Sequence, residues 1–388
     1  MGPEGLAVTD TASRVEVARV EAEHLPALAG FYREVWDPHA TVDSVRAARA
    51  LAAAANPVSP GEPPPTWVVL REERAVGHVT TIPLTLWLRG RERPAYWIKG
   101  LWVLPEFQRG PVGYLLLRAA VQTLPATLAL AHEPAALRLF GALGFADLGG
   151  LPNALRVLSA RAVFSQLDLR AVGMGEVPGW MRSGLRIATA GARWLGPIAD
   201  GATTLWATVA SGPIGTVRLE VTAELDQDAA EGLWRTVRHE IAASPLRGGA
   251  QLTERYAHDD QYVFVHGRGH DGLVGLGIVK RPRAEGDSRL RGIRVSTLSE
   301  LLYPPSRPLV GLAVLRGAES AARALGADAL LCGASAAPVR ALVRRRGYLR
   351  LPANLHVLAR LPAERDPAPT RIDEWWVTRG DSGGDGAF

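Results

Sequence analysis

Hydrophobic and polar positions along the chain change period in a recurring order. Residues 14–20 alternate like a strand, and residues 23–35 then place apolar side chains at helical spacing, predicting a helix that stops before Asp37-Pro38. Residues 42–55 predict a second, Ala-rich helix, and the Pro/Gly-rich stretch 57–65 cannot continue it. Three β-rich runs follow at 67–70, 75–88 and 96–104, parted by charged turns at 71–74 and 89–93. A helix at 114–124, a short buried strand at 127–131, a helix at 134–143 and a strand at 153–158 predicted to close this first sheet complete a mixed α/β half.

From residue 167 to about 213 the strand alternation disappears, and segments 180–194 and 198–209 have helical spacing, which predicts a connector of helices. The second half then repeats the order: strand 217–221, helix 228–241, strands 262–266, 273–280 and 293–296, helix 309–325, strand 329–332, helix 337–346 and closing strand 355–361. The ends of the halves also align, Leu139-Phe140-Gly141-Ala142-Leu143-Gly144-Phe145 with Leu342-Val343-Arg344-Arg345-Arg346-Gly347-Tyr348, as duplicated domains would. With 388 residues available, the expected organisation is a domain over 1–165, a helical connector over 166–215, a second domain over 216–363 and a tail over 364–388. In that tail Trp375 and Trp376 predict docking back onto the protein, because buried aromatics contribute large apolar areas. A ligand lid is the sharper alternative for the same pair.

Composition narrows the function class. Hydrophobic residues make up 47% and charged residues 21%, an ordinary globular balance, and no window approaches the roughly 18 unbroken apolar residues of a membrane span. The N-terminus has neither a basic start nor an apolar core, and Leu6 stands where a myristoylation signal wants Ser or Thr, so a cytoplasmic protein is expected. One cysteine, Cys332, rules out an internal disulfide and a thiolate metal cluster. The net charge of +5 is carried almost entirely by Arg, with Lys only at 99 and 280, and these arginines are dispersed among acidic residues. No nucleic-acid partner is expected from that pattern. No metal is expected either: His266 to His270 enclose Gly and Arg in a turn and read as a hairpin tip.

The segment Leu101-Trp102-Val103-Leu104-Pro105-Glu106-Phe107-Gln108-Arg109-Gly110-Pro111-Val112-Gly113 carries the chemistry. A strand that enters a Gly-containing loop at a helix N-terminus leaves backbone N–H groups pointing one way, toward an anion. Loop glycines let a phosphate approach the main chain, and the helix dipole adds favourable charge.

This segment resembles the acyl-CoA motif of the GCN5-related N-acetyltransferase family, a strand ending Leu-x-Val-x-Pro, then Gln/Arg-x-x-Gly-x-Gly/Ala and a helix. Leu101, Val103, Pro105, Gln108 and Gly113 match it. The family's second motif is similar to the run through Leu128 to Ala131, Ala136, Leu139, Gly144 and Phe145. The resemblance covers residues 14–160 and, in degraded form, 216–361. It implies an α/β fold with α+β mixed sheets, in two tandem GNAT-like domains. It also implies acetyl-CoA or another acyl-CoA as co-substrate, with transfer to an amine or hydroxyl of a small molecule or glycan precursor. Leu101, Trp102 and Val103 would hold the pantetheine, and Gln108, Arg109, Gly110, Val112, Gly113 and Tyr114 the pyrophosphate.

Four positions depart from the family pattern. Pro111 replaces the motif's first glycine, Phe140 the tyrosine that protonates the departing thiolate, Lys99 a glutamate base and Glu133 the usual asparagine. Glu133 and Tyr96 are the catalytic candidates that remain, and His78 is a further titratable residue beside the expected cleft. For Glu133 a helix-N-terminal carboxylate is the plainer reading. In the second half, Pro304, Pro305 and Pro308 remove the donors an anion loop needs. That half is expected to shape the acceptor cleft, with Tyr256, His258 and Tyr262 either lining it or packing in the core. Two alternatives accompany the enzyme reading, an acyl-CoA sensor or scaffold without turnover and an aminoacyl-tRNA-dependent transferase of tandem architecture.

Overall fold

The structure, a computed structural model, describes residues 15–160, 162–163, 217–257, 260–283, 292–362 and 369–381. The expected connector helices at 180–194 and 198–209, and His258, lie outside the described residues. The chain divides into two compact units, one formed by Met1–Leu86, Arg91–Gly149 and His356–Ala368, the other by Trp87–Gly90, Gly150–Leu355 and Pro369–Phe388. Among the described residues no helix is long and apolar enough to cross a membrane.

In the first unit the elements follow the sequence periods closely. Strand β1 (Glu16–Arg19) leads to α1 (Leu25–Val35) and α2 (Val42–Ala54). The start of α2 is fixed by Thr41, whose hydroxyl accepts from the Ser44 amide at 3.0 Å. Strands β2 (Thr66–Arg71), β3 (Arg74–Leu88) and β4 (Arg91–Val103) form a meander. Its two-residue turns put Glu72 and Glu73, and at the β3–β4 tip that is grouped with the second unit Arg89 and Gly90, at positive φ, the geometry that matches strand twist, and β4 therefore starts earlier than the charged run 89–93 suggests. Helix α3 (Val112–Thr123), β5 (Thr127–Ala131), α4 (Pro134–Ala142) and β6 (Ala146–Gly150) follow. Helix α3 packs close over the sheet because Gly77 on β3 leaves room. A Cβ there would stand 2.8 Å from Val112 Cγ1 and 2.9 Å from Leu116 Cδ1. Leu28, Phe31, Val68, Val76, Ile98 and Leu116 form the centre of this core.

The second unit repeats the element types. It contains β8 (Arg218–Thr222), α5 (Gln227–Val237), the short β9 (Ala243–Pro245) and one-turn α6 (Gly249–Leu252). The strands β10 (Tyr262–Gly269), β11 (Gly272–Arg283) and β12 (Val295–Leu302) come next. Helix α7 (Pro308–Ala324), β13 (Ala329–Gly333), α8 (Ala337–Arg345) and β14 (Leu349–Leu351) complete it. His270 lies in the β10–β11 turn as the hairpin reading requires, whereas His266 is buried on β10 against Thr222. Tyr256 and Tyr262 are core residues, edge to face at 4.9 Å.

The closing strands correct the sequence reading. The strand β7 (Asn153–Val157), expected to close the first sheet, lies instead between β13 and β14 of the second. Conversely β15 (His356–Arg360), expected in the second sheet, pairs antiparallel with β5 of the first, His356 opposite Ala131 and Arg360 opposite Thr127. The sheet orders are β1-β2-β3-β4-β5-β15-β6 and β14-β7-β13-β12-β11-β10-β8. Each exchange follows a Leu-Pro step, Leu151-Pro152 and Leu351-Pro352. Proline there removes a ladder donor and holds the preceding residue extended, so the chain runs on instead of doubling back as a hairpin. Period-2 alternation identifies a strand but not its partner.

The tail docks in the second unit, with Trp375, Trp376, Val377, Arg379 and Asp381 all buried. Strands β12 and β13 pair in parallel only from Val295–Ala329 to Leu298–Cys332, and the tail continues along the far end of β13. Thr378 bridges antiparallel to Ala334, Ser335 N–H donates to the Val377 carbonyl and Arg379 N–H to the Gly333 carbonyl, both at 2.9 Å. On the other side a Cβ at Gly380 would lie 2.7 Å from the Ser299 carbonyl of β12. The tail carboxylate of Asp381 meets Arg247 and Arg255, which also bond Glu300, forming a buried four-charge cluster.

Candidate functional site

In the first unit β4 and β5 pair in parallel at three positions only, Tyr96–Thr127, Trp97–Leu128 and Ile98–Ala129. Past Ile98 the strands part. Gly100 lies at φ +60°, a left-handed conformation that residues with a Cβ resist, and it turns β4 away from β5. Leu101–Val103 therefore run without a β5 partner, leaving main-chain groups along one side of a wedge.

Beyond the wedge the chain is pinned by Leu104 N–H to the Val76 carbonyl at 3.0 Å and makes a single 3-10 turn at Pro105–Phe107. Gln108 folds back, its Nε2 donating to the Val103 carbonyl at 3.0 Å, so its side-chain amide holds the loop to the end of β4. Gly110 N–H is taken by the Phe107 carbonyl at 3.0 Å. The first N–H of the α3 ladder is that of Leu115, which donates to the Pro111 carbonyl at 2.9 Å. The N–H groups of Val112, Gly113 and Tyr114 precede that ladder and are the donors a helix start offers to an anion. Pro111 is the N-cap and supplies none, and no acidic residue occupies the first turn. A Cβ at Gly113 would make only ordinary contacts, 3.7 Å from Leu139 and Val103. Trp102 and Tyr114 expose their rings beside the loop, Arg109 is exposed on it, and the Val112 side chain is buried.

The two catalytic candidates fall in different places. Tyr96 is buried at the paired end of the wedge, and loss of water raises its pKa. Glu133 is the exposed N-cap of α4 with no side-chain capping bond, 3.8 Å from His132 Nε2. Phe140 is buried edge to face on Phe145 at 4.9 Å, inside the core. Lys99 is exposed.

A group that sequence reasoning largely missed lies directly behind Gly100. His78 on β3 is buried, its Nδ1 is 3.0 Å from the Gly100 carbonyl and its Nε2 is 3.2 Å from the Tyr32 hydroxyl. A carbonyl only accepts, so Nδ1 carries the proton, Nε2 accepts, and Tyr32 donates. Burial pushes the His78 pKa down to about 4, against the Gly100 hydrogen bond and with a smaller push from Arg49. The imidazole is thus neutral at pH 7. Burial also raises the Tyr32 phenol, with Arg49 opposing. Phe31 and the exposed Trp36 pack on the same imidazole at 5.8 and 5.3 Å. The available signal was α1 itself: Tyr32 and Trp36 lie one turn apart and share a face.

Residues 28–145 match the model of the acetyltransferase (GNAT) family. No curated protein matches the chain. Among solved structures it is similar to an Enterococcus faecalis protein described as a probable N-acyltransferase, at 11% identity and TM-score 0.53 over 89% of this chain and 72% of that one. A GCN5-related N-acetyltransferase from Kribbella flavida is 16% identical with TM-score 0.50, covering 90% and 71%. Saccharomyces cerevisiae N-myristoyltransferase, solved with bound myristoyl-CoA, is 13% identical with TM-score 0.52, covering 92% and 82%. The chain therefore has a mixed α/β fold of the GNAT-like acyl-CoA N-acyltransferase kind, within which residues 28–145 match the acetyltransferase (GNAT) family model.

Proposed function

We propose that this protein transfers an acyl group, acetyl first among candidates, from acyl-CoA to an amine or hydroxyl of a small molecule or glycan precursor. One observation carries the reading: the wedge opened at Gly100 points its unpaired β4 edge toward a helix start with three uncommitted N–H donors. The β4 edge suits an extended pantetheine amide, and the N–H groups of Val112, Gly113 and Tyr114 suit a pyrophosphate. The acceptor attacks the thioester carbonyl, the C–S bond breaks as C–N or C–O forms, and the acceptor's proton leaves to water. Tyr32, held by neutral His78, is the positioning residue that orients the incoming N–H or O–H through its phenol oxygen. Phe140 has no proton to give, so the departing thiolate takes one from solvent. The matching element order of the second unit supports a degenerate second copy of the same domain that shapes the acceptor cleft.

Titration calorimetry with acetyl-CoA, followed by free-thiol release across a panel of amines and alcohols, tests the proposal. Saturable binding that disappears in Gly113→Glu supports it, and absence of binding by the native protein overturns it. Phe140 also favours a second reading, an acyl-CoA sensor. Tight binding with no thiol release from any acceptor would select that reading.

A further inference from the structure

Helix α8 roofs a cavity of about 200 Å³ in the second unit, walled below by β13, β7 and the turn into β14. The tail borders this cavity, since Arg379 Nε donates to Asn153 Oδ1 and Thr378 bridges to Ala334, both lining residues. Its walls are apolar where Ala154, Val339 and Val343 face inward, and its lining carries three arginines, Arg340, Arg344 and Arg350. Val339 and Val343 are one helical turn apart, as are Arg340 and Arg344, so α8 presents an apolar row and a cationic row side by side. The Arg340 guanidinium reaches Asp373 at 3.8 Å. Arg344 and Arg350 are exposed and have no carboxylate in ion-pair range among the described residues, which leaves the cavity a surplus of positive charge.

Two buried polar atoms of lining residues lack hydrogen-bond partners among the described residues, the Tyr348 hydroxyl and Arg340 Nε. Tyr348 is only 8% exposed, and native interiors rarely leave such a hydroxyl unpaired. Burial holds its pKa well above the ordinary phenol value, so it remains a neutral group that can donate. An apolar slot with an arginine rim and one unsatisfied hydroxyl is a polarity pattern of small-molecule sites.

We infer that this cavity binds a small organic anion, an apolar body between α8 and the sheet with its carboxylate or phosphate head at Arg344 and Arg350. The planar guanidinium fork suits either head through paired N–H donors. Tyr348 and Arg340 Nε then serve a polar atom on the body. The site is independent of the acyl-transfer reading, and no bond is made or broken in it.

The test is titration calorimetry of the full-length protein with octanoate, octyl phosphate and the neutral octanol. Either anion should bind with a stoichiometry of one and at least about tenfold more tightly than octanol, a difference set by the charged head. The double variant Arg344→Gln/Arg350→Gln should weaken the anion by about tenfold or more and leave octanol unchanged. Tyr348→Phe removes only the unpaired hydroxyl, so it should fold normally and leave octanoate, whose body has no polar atom, unaffected, while weakening a few-fold an octanoate that carries a mid-chain hydroxyl. Gly113→Glu should have no effect, which separates this cavity from the acyl-CoA wedge. Equal affinity for octanol and the anions, or undiminished anion binding in the double arginine variant, overturns the assignment, as does no binding by any of the three.

Discussion

Asn153 Nδ2 donates to Asn354 Oδ1 at 2.8 Å across 201 residues of sequence, just after each of the two Leu-Pro steps at which the chain passes a strand to the other unit. Arg379 from the tail donates to both, by Nε to Asn153 Oδ1 at 3.1 Å and by Nη2 to Asn354 Oδ1 at 2.6 Å. One tail residue thus ties the two crossing points together.

Replacing Arg379 by Met keeps much of its apolar stem and removes both charge-assisted bonds at a fully buried site. The expected loss is about 2 to 3 kcal/mol of stability. Urea unfolding followed by tryptophan fluorescence measures it, and an unchanged midpoint would show that the tie is incidental.

The buried cluster around Arg247 makes a sharper claim. Arg247 and Asp381 are both fully buried and 2.6 Å apart, so Asp381→Asn leaves a guanidinium facing Glu300 with half its compensation gone. Breaking such a pair costs about 3 to 5 kcal/mol. Limited proteolysis should then cut the tail before the rest of the second unit, whereas the native protein resists.

His78 gives stability a pH dependence of known sign. Its folded pKa of about 4 lies below the ordinary value near 6.5, so between those limits the unfolded chain binds the extra proton. The contribution is complete above about pH 6.5 and disappears as pH falls toward 4, amounting to about 3 kcal/mol. Denaturant unfolding from pH 7.5 down to 4 should show this acid limb, and His78→Gln should flatten it.

Gly100 is held at φ +60°, and a Cβ there would approach His78 Cε1 to 3.4 Å. Gly100→Ala should cost about 1 to 2 kcal/mol from the left-handed backbone alone. Because the same residue opens the wedge, acetyl-CoA affinity should fall with it. A variant that lost stability and kept full affinity would show that the bend is not needed for binding.

Most elements were legible because the apolar period changes cleanly. Strand β5 matches its predicted span, and α1, α2, α3 and α7 shift by only one or two residues. Strand β12 runs to Leu302, six residues past its predicted end at 296, because Ser299 and Glu300 look polar although both are buried. Glu300 belongs to a charge cluster assembled from residues 247, 255, 300 and 381, and no local pattern announces a partnership at that separation. The site divides the same way. The loop from Gln108 to Tyr114 was visible as a contiguous motif, but the His78–Tyr32 pair spans 46 residues and required the fold.

The tail covers main-chain groups that would otherwise be open to a second chain. By pairing with Gly333 to Ser335 it sheathes, in cis, a main-chain edge that a truncated protein would expose. Ending the chain at residue 368 should therefore yield a species that adds strands from its neighbours and grows into oligomers. A synthetic peptide spanning residues 369–381, supplied in trans, should cap that edge and return the truncated protein to its native association state.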